Sequence, residues 1–151
     1  MNDNYRQVFG EILADHHESP RNWGKLPAPA KEEQGYNPLC GDKVTVCTQL
    51  THDERGDKLE KCSFEGEGCS ICMASASIMA SMVEGLSKDQ VYALIEAFRE
   101  KMQGAEKVEG LPSEESQEDI AALYGVKKFP VRIKCVLLPW TTLKKGLDHA
   151  K

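Results

Sequence analysis

The fold is decided by the stretch GEGCSICMASAS at residues 66–77, in which two glycines precede a thiol and a run of small residues. Glycine permits backbone angles closed to other residues, and the free amides in the first turn of a helix favour a thiolate over a thiol. The residues that follow, through Val83, are small or apolar on nearly every side, which predicts a buried central helix. Cys69 is therefore the first candidate for a functional residue.

The segments on either side of this helix predict further elements. Residues 44–50 alternate between apolar and polar, a polar turn follows at 52–57, and a second segment runs through Phe64, which together predict a β-hairpin. Ser87 and Gln90 occupy the two positions of a capping box at the start of the next helix. Further helices are predicted up to Glu18, at 120–124 and from Pro130. Irregular connections are predicted at 20–38 and at 105–117, and Trp23 and Tyr36 are predicted to anchor the first of these by hydrophobic contacts.

Composition limits the class of protein. The 151 residues predict one domain, 1–151, large enough to bury a core without disulfides, and the six cysteines lack the dense spacing of a small secreted scaffold. We find no signal peptide or apolar run long enough to span a membrane, and we expect a cytoplasmic protein. The net charge of −5 argues against nucleic acid as the main partner.

Four side chains form a candidate metal site. Cys40 and Asp42 lie in a turn before a strand, Cys69 leads into the central helix, and Cys135 follows the basic run at 127–134. Three soft sulfurs and one carboxylate suit tetrahedral zinc or an iron–sulfur cluster. Because long stretches separate these residues, the spacing alone leaves unrelated buried and surface cysteines as an alternative.

Three motifs give the chain a close resemblance to a known family. They are NPLCGD at 37–42, FEGEGC with ASAS at 64–69 and 74–77, and KFPVRIKC at 128–135, and His16 with PRN at 20–22 matches the N-terminal signature. The chain resembles the U-type iron–sulfur cluster assembly proteins, which include SufU, IscU and the N-terminal part of NifU. Lys134, where IscU-like scaffolds have histidine, and a long segment at 103–125 favour the SufU branch.

The resemblance implies both a fold and an activity. The implied fold is α+β, with a three-stranded antiparallel sheet covered on one face by helices, the third strand lying near 25–35 or at the sheet edge. By the same resemblance, Cys40, Asp42, Cys69 and Cys135 bind zinc. Cys40 then accepts persulfide sulfur from a pyridoxal-phosphate cysteine desulfurase of the SufS type, for downstream cluster-assembly proteins.

Two other functions use the same residues. The chain can instead be a scaffold for a transient iron–sulfur cluster, or an interaction module in which zinc is only structural. Arg132 and Lys134 can stabilise an anionic sulfur or dock an acidic partner, or simply form a solvated helix face.

Among the remaining cysteines and histidines, Cys72 is the one for which we consider a chemical role. Cys62 is predicted to be a small buried hydrophobe, Cys47 is not placed, and His16 is predicted to be packed and hydrogen-bonded. The exception is Cys72, where family members commonly have a small hydroxyl residue. Cys72 can form a redox pair with Cys69, supply a zinc thiolate in place of Asp42, or be a nearly isosteric replacement.

Overall fold

The computed structural model of the protein describes Gln7 and residues 10–38, 41–104 and 114–149. The predicted sulfur acceptor, Cys40, lies outside the described residues. Within them, the elements in chain order are α1 (Glu11–Glu18), β1 (Lys31–Asn37), β2 (Asp42–Asp53), β3 (Gly56–Glu67), α2 (Ser70–Val83), α3 (Lys88–Met102), α4 (Glu114–Tyr124) and α5 (Ile133–His149).

The three strands form one antiparallel sheet in the order β1-β2-β3. The hairpin prediction is confirmed, with β2 and β3 joined by a tight turn before Gly56. The inward side chains of Val44, Val46 and Phe64 are buried in a core shared with the helices. In the register, Asn37 lies opposite Asp42 and Lys43 lies opposite Glu67, so the start of β2 and the end of β3 meet at one end of the sheet.

The connection predicted at 20–38 is wrong in its second half, where β1 forms the third strand that the resemblance implied. The two aromatic pins were also misjudged. Tyr36 is 57% exposed, and Trp23 is 51% exposed although its ring packs edge-on against Phe64 with 5.2 Å between the ring centroids. Residues 22–24 lie along the outer edge of β3, where backbone hydrogen bonds join Gly24 to Phe64 and Phe64 to Asn22.

Helix α2 is the buried central helix that its composition predicts. Most of its side chains lie in the core, and α1, α5 and β3 pack around it. The capping box at the start of α3 is present as predicted, with Ser87 and Gln90 each bonding the other's backbone N–H.

Two helix boundaries differ from the prediction. Helix α4 begins at Glu114, inside the stretch expected to be irregular, and a 3₁₀ turn at Pro130–Arg132 precedes α5. None of the helices in the described part of the chain has the length and apolar character that crossing a membrane requires.

Candidate metal centre

Three of the four predicted ligands meet at one end of the sheet. Asp42 begins β2, Cys69 is the N-cap of α2 directly after β3, and Cys135 lies in the first turn of α5. One carboxylate oxygen and the two Sγ atoms lie within 4.8 Å of one another. The arrangement follows from the register, because the start of β2 and the end of β3 are neighbours and α5 packs across both β1 and β2.

The Asp42 carboxylate is fully buried and is held by the backbone that precedes α2. The Cys69 N–H donates to Asp42 Oδ1 at 2.7 Å. Gly68 makes this approach possible, because a Cβ built at Gly68 would overlap the carboxylate and would come within 2.8 Å of the Asp42 Cα. The φ of +149° at Gly68 is also one that side-chain-bearing residues rarely adopt. The second glycine of the opening motif is therefore required by this contact.

Cys69 is half-buried, and its sulfur is placed by two contacts. The Cys72 N–H donates to Cys69 Sγ at 3.4 Å, as expected for an N-cap side chain, and Sγ lies 3.6 Å from Asp42 Oδ2. Burial raises the pKa of the Cys69 thiol, and the Asp42 carboxylate adds to this increase against the opposing effect of the Cys72 amide. A bound divalent cation would reverse this balance and favour the thiolate.

Cys135 is fully buried, and its helix is fastened to α2 by Ser75. The Ser75 hydroxyl donates to the carbonyl oxygen of Val136 at 2.6 Å and accepts from the Trp140 indole N–H at 3.0 Å. The Trp140 ring stacks on Phe98 of α3 with 4.3 Å between the ring centroids. The helix that carries Cys69 and the helix that carries Cys135 are thus joined by buried hydrogen bonds one residue from Cys135.

A second serine of the same motif anchors the chain on another side of α2. Ser77 accepts from the Arg21 backbone N–H at 2.8 Å and bonds His16 Nδ1 at 2.7 Å, while His16 Nε2 lies 3.4 Å from the Asp119 carboxylate. Burial and the nearby Arg21 hold the pKa of His16 below its usual value, although Asp119 opposes this shift. The prediction of a packed, hydrogen-bonded His16 is confirmed.

The sequence reasoning did not assign roles to Ser75 and Ser77. The available signal was the presence of two serines, Ser75 and Ser77, in the most apolar part of the helix, because a buried hydroxyl needs a partner. Three more cysteines lie among the described residues. Cys47, Cys62 and Cys72 are buried and are not members of the three-residue group.

The donor atoms fit a metal ion of the predicted type. Two sulfurs and a carboxylate oxygen are the ligands that zinc accepts, and bond lengths of about 2.0 to 2.3 Å place tetrahedral ligands roughly 3.5 Å apart. The separation of 3.6 Å between Cys69 Sγ and Asp42 Oδ2 matches that spacing. A fully buried carboxylate beside two thiols is also costly without a cation.

Comparison with known proteins gives consistent matches. The family described as the NifU-like N-terminal domain matches residues 8–136. The zinc-dependent sulfurtransferase SufU of Bacillus subtilis (strain 168) is 38% identical over 97% of this chain and 94% of its own length. The iron–sulfur cluster assembly scaffold protein IscU of Streptococcus pyogenes serotype M1 is 38% identical over 95% of this chain and 84% of its own.

Solved structures agree with the described architecture. FiSufU from Fervidobacterium islandicum AW-1 superposes with a TM-score of 0.80 at 32% identity, covering 94% of this chain and 98% of that one. A NifU-like N-terminal protein from Brucella abortus gives a TM-score of 0.78, with 95% and 94% of the two chains covered, and its 20% identity supports the fold alone.

Proposed function

The chain belongs to the NifU-like N-terminal domain family, and we propose that within iron–sulfur cluster assembly it acts as a zinc-dependent sulfurtransferase. Cys40 is the proposed acceptor of persulfide sulfur from a cysteine desulfurase. The convergence of Asp42, Cys69 and Cys135 at one end of the sheet is the observation that carries this proposal. The identity to a zinc-dependent sulfurtransferase over nearly the whole chain supports the choice within the family.

Chain connectivity supports Cys40 as the reacting sulfur. Cys40 precedes Asp42, a member of the candidate cluster, by only two residues in the sequence. Zinc at this site would hold its thiolates deprotonated and would complete its four ligands with Cys40. Asp42 and Cys69 are held by backbone contacts, and Cys135 is held through Ser75, so these three ligands form a rigid base beside the acceptor.

The transfer itself is a thiol exchange. The Cys40 thiolate attacks the outer sulfur of the desulfurase persulfide, a new sulfur–sulfur bond forms on Cys40, and the desulfurase cysteine leaves as a thiolate. The exposed Lys134 lines a groove of about 410 Å³ with Pro38 and Leu138 beside this end of the sheet. We assign Lys134 the role of attracting the anionic persulfide sulfur toward this groove.

A scaffold for a transient iron–sulfur cluster is the second candidate, and the IscU relative favours it. The same sulfurs and carboxylate can hold a cluster as cargo. Purification without added iron distinguishes the two. A colourless protein that contains zinc supports the sulfurtransferase, and a brown protein with a visible absorption band supports the scaffold.

The direct test measures sulfur on the protein. The zinc-loaded chain is mixed with a cysteine desulfurase and cysteine, and intact-mass spectrometry follows the gain of a sulfur atom. We expect Cys40→Ser to abolish the gain and the stimulation of desulfurase turnover, while retaining its fold. The matched control is Cys47→Ser, because Cys47 is buried, lies outside the metal cluster and is 4.0 Å from an acceptor, Glu32 Oε1, that a serine can also use.

Two outcomes contradict the proposal. If folded Cys40→Ser gains as much sulfur as Cys47→Ser, then Cys40 is not the acceptor. If neither the parent chain nor the control accepts sulfur, the zinc is structural.

A further inference from the structure

Cys72 is the thiol near the metal centre that the proposed transfer does not use. We propose that Cys69 and Cys72 form a redox-sensitive dithiol, and that oxidation to a Cys69–Cys72 disulfide removes Cys69 from the metal centre. The consequence for sulfur transfer rests on the proposed function, but the disulfide itself depends only on the geometry at the start of α2.

The two residues lie within the same first turn of α2. Cys69 is the N-cap of α2 and Cys72 is the third helical residue, and the Cys72 N–H already donates to Cys69 Sγ at 3.4 Å. The same two positions of α3 are in reciprocal contact, since Ser87 and Gln90 each bond the other's backbone N–H at 2.9 and 3.1 Å. In α3 the side chain at the third position therefore reaches back to the N-cap, which is the arrangement that the proposed disulfide requires of Cys72.

The backbone spacing suits a disulfide. Helix geometry places Cα atoms three residues apart at roughly 5 Å, and disulfides form between Cα atoms separated by about 4.4 to 6.8 Å. The bond would close a ring of only four residues within one turn, so side-chain rotation is sufficient and no helix has to move. The Cys69 backbone at the N-cap is extended, with φ −72° and ψ 155°, and its Sγ already lies against the Cys72 backbone N–H.

Burial sets the order of the reaction. Cys69 is half-buried and Cys72 is fully buried, so a small oxidant reaches Cys69 first. Hydrogen peroxide converts the Cys69 thiolate to a sulfenic acid and releases hydroxide. The Cys72 thiol then attacks the Cys69 sulfur, the sulfur–oxygen bond breaks, and water leaves as the disulfide forms. Over both steps the two thiols are oxidised and the peroxide is reduced to water.

Cys135 is the competing partner among the described residues, because its sulfur also lies within 4.8 Å of Cys69 Sγ. That sulfur belongs to α5, which the buried Ser75 contacts to Val136 and Trp140 hold in place on α2. A Cys69–Cys135 disulfide would cross-link two packed helices, whose relative position a close-packed interior holds, whereas the Cys69–Cys72 bond lies within one helix turn. The pair within one helix turn is therefore favoured.

Oxidation of Cys69 and Cys72 to a disulfide would remove one ligand from the metal centre. A disulfide sulfur carries no negative charge and is a poor ligand for zinc. Of the described ligands, only Asp42 and Cys135 would then remain, and zinc should be released. Reduction by a thiol would restore the site.

The test uses the full chain, loaded with zinc or stripped by a chelator, and treated with hydrogen peroxide. Remaining thiols are blocked with N-ethylmaleimide, and cleavage after Glu67 and Glu84 isolates Cys69 and Cys72 on the peptide 68–84. We expect this peptide to lose two hydrogens and to resist alkylation. Zinc release, followed with a chromogenic chelator, should accompany the change and be reversed by dithiothreitol and fresh zinc.

The variants Cys72→Ser and Cys72→Ala test the pairing, with Cys47→Ser as the control. Both Cys72 variants should retain zinc before oxidation and lose the reversible release, with Cys69 advancing to sulfinic acid. A disulfide joining Cys69 to Cys135 or to Cys40 would overturn the proposal, as would equal reversible release from the Cys72 variants. Zinc loss from those variants before any oxidant would identify Cys72 as a ligand instead. None of these readouts uses a desulfurase, so a failed sulfur-transfer assay leaves them intact.

Discussion

Replacing Ser75 by alanine should destabilise the protein more than replacing the exposed Ser81 of the same helix. The Ser75 hydroxyl donates to the Val136 carbonyl at 2.6 Å and accepts from the Trp140 indole N–H at 3.0 Å, and both Ser75 and Trp140 are fully buried. Without the hydroxyl, the indole N–H is left without an acceptor in the core. Losing both bonds and leaving one donor unsatisfied should cost about 2 to 3 kcal/mol.

The assay is urea unfolding of the zinc-free chain, followed by circular dichroism, with Ser81→Ala as the matched control. Ser81 lies on the same helix, is exposed, and donates only to the Ile78 carbonyl within that helix at 3.0 Å. We expect Ser75→Ala to lower the free energy of unfolding by about 2 to 3 kcal/mol and Ser81→Ala to change it by less than about 0.5 kcal/mol. In thermal unfolding the Ser75→Ala loss corresponds to a fall in melting temperature of roughly 5 to 10 °C.

The Ser75→Ala substitution should also affect the metal centre. Because Val136 follows Cys135, losing the Ser75 contact should also weaken zinc retention relative to Ser81→Ala. Equal unfolding free energies for the two variants would refute the claim that Ser75 fastens α5 to α2. A stability loss without any loss of zinc would confine the role of Ser75 to the core.

Four further predictions concern the same region. Gly68→Ala should weaken zinc binding in a chelator competition, because the added Cβ overlaps the Asp42 carboxylate, whereas Gly104→Ala, also at positive φ but with open space around it, should not. Asp42→Ala should lose more zinc than Cys72→Ser, and zinc loss confined to the Cys72 variant would reverse the ligand assignment. Burial holds the pKa of His16 below its ordinary 6.5, so the stabilisation by neutral His16 should be complete above pH 6.5 and should decline as the pH falls below that value. The difference in melting temperature between the parent chain and His16→Gln should therefore become smaller in acid. A difference that stays constant with pH would contradict this role of His16. Chelation should lower the melting temperature while leaving the helical circular dichroism signal, and an unchanged melting temperature after verified zinc removal would contradict metal binding at a folded site.

The parts of the fold that were predictable are those with strong local signals. Three elements could be predicted from a few neighbouring residues each: the strand with the period-two pattern at 44–50, the apolar helix after Cys69, and the helix with the capping box at Ser87. Strand β1 gives no such signal. Its residues that alternate with the exposed ones are Glu33, Gly35 and Asn37, so no apolar pattern is present.

The structure supplies the reason for this unusual strand. Helix α5 lies so close to β1 that a Cβ at Gly35 would collide with Thr142, and Gly146 of the helix lies directly against Glu33. Glu33 is partly covered and pairs with Lys145 and His149 of the same helix. Close backbone approach and ion pairing thus replace apolar packing at this edge, and neither feature is visible from periodicity.

The residue types alone predicted the candidate metal site but left unrelated cysteines as an alternative, and the family resemblance favoured the site. Cys69 and Cys135 are distant in the chain, and no local pattern indicates that their sulfurs lie within 4.8 Å of each other and of Asp42. The packing of α5 on α2 decides this proximity, and it depends on Ser75 and Trp140, whose partners cannot be identified from spacing.

The three described candidate ligands are held by contacts that do not require a metal. Asp42 is fixed by the Cys69 N–H, Cys69 by the Cys72 N–H, and Cys135 by the buried bonds of Ser75. A zinc finger, in contrast, has too small a core to fold without its ion. In this chain the core and α2 maintain the geometry, so a ligand can be released or oxidised without unfolding the domain. A centre that must release and recover a reactive sulfur needs this independence of fold from metal.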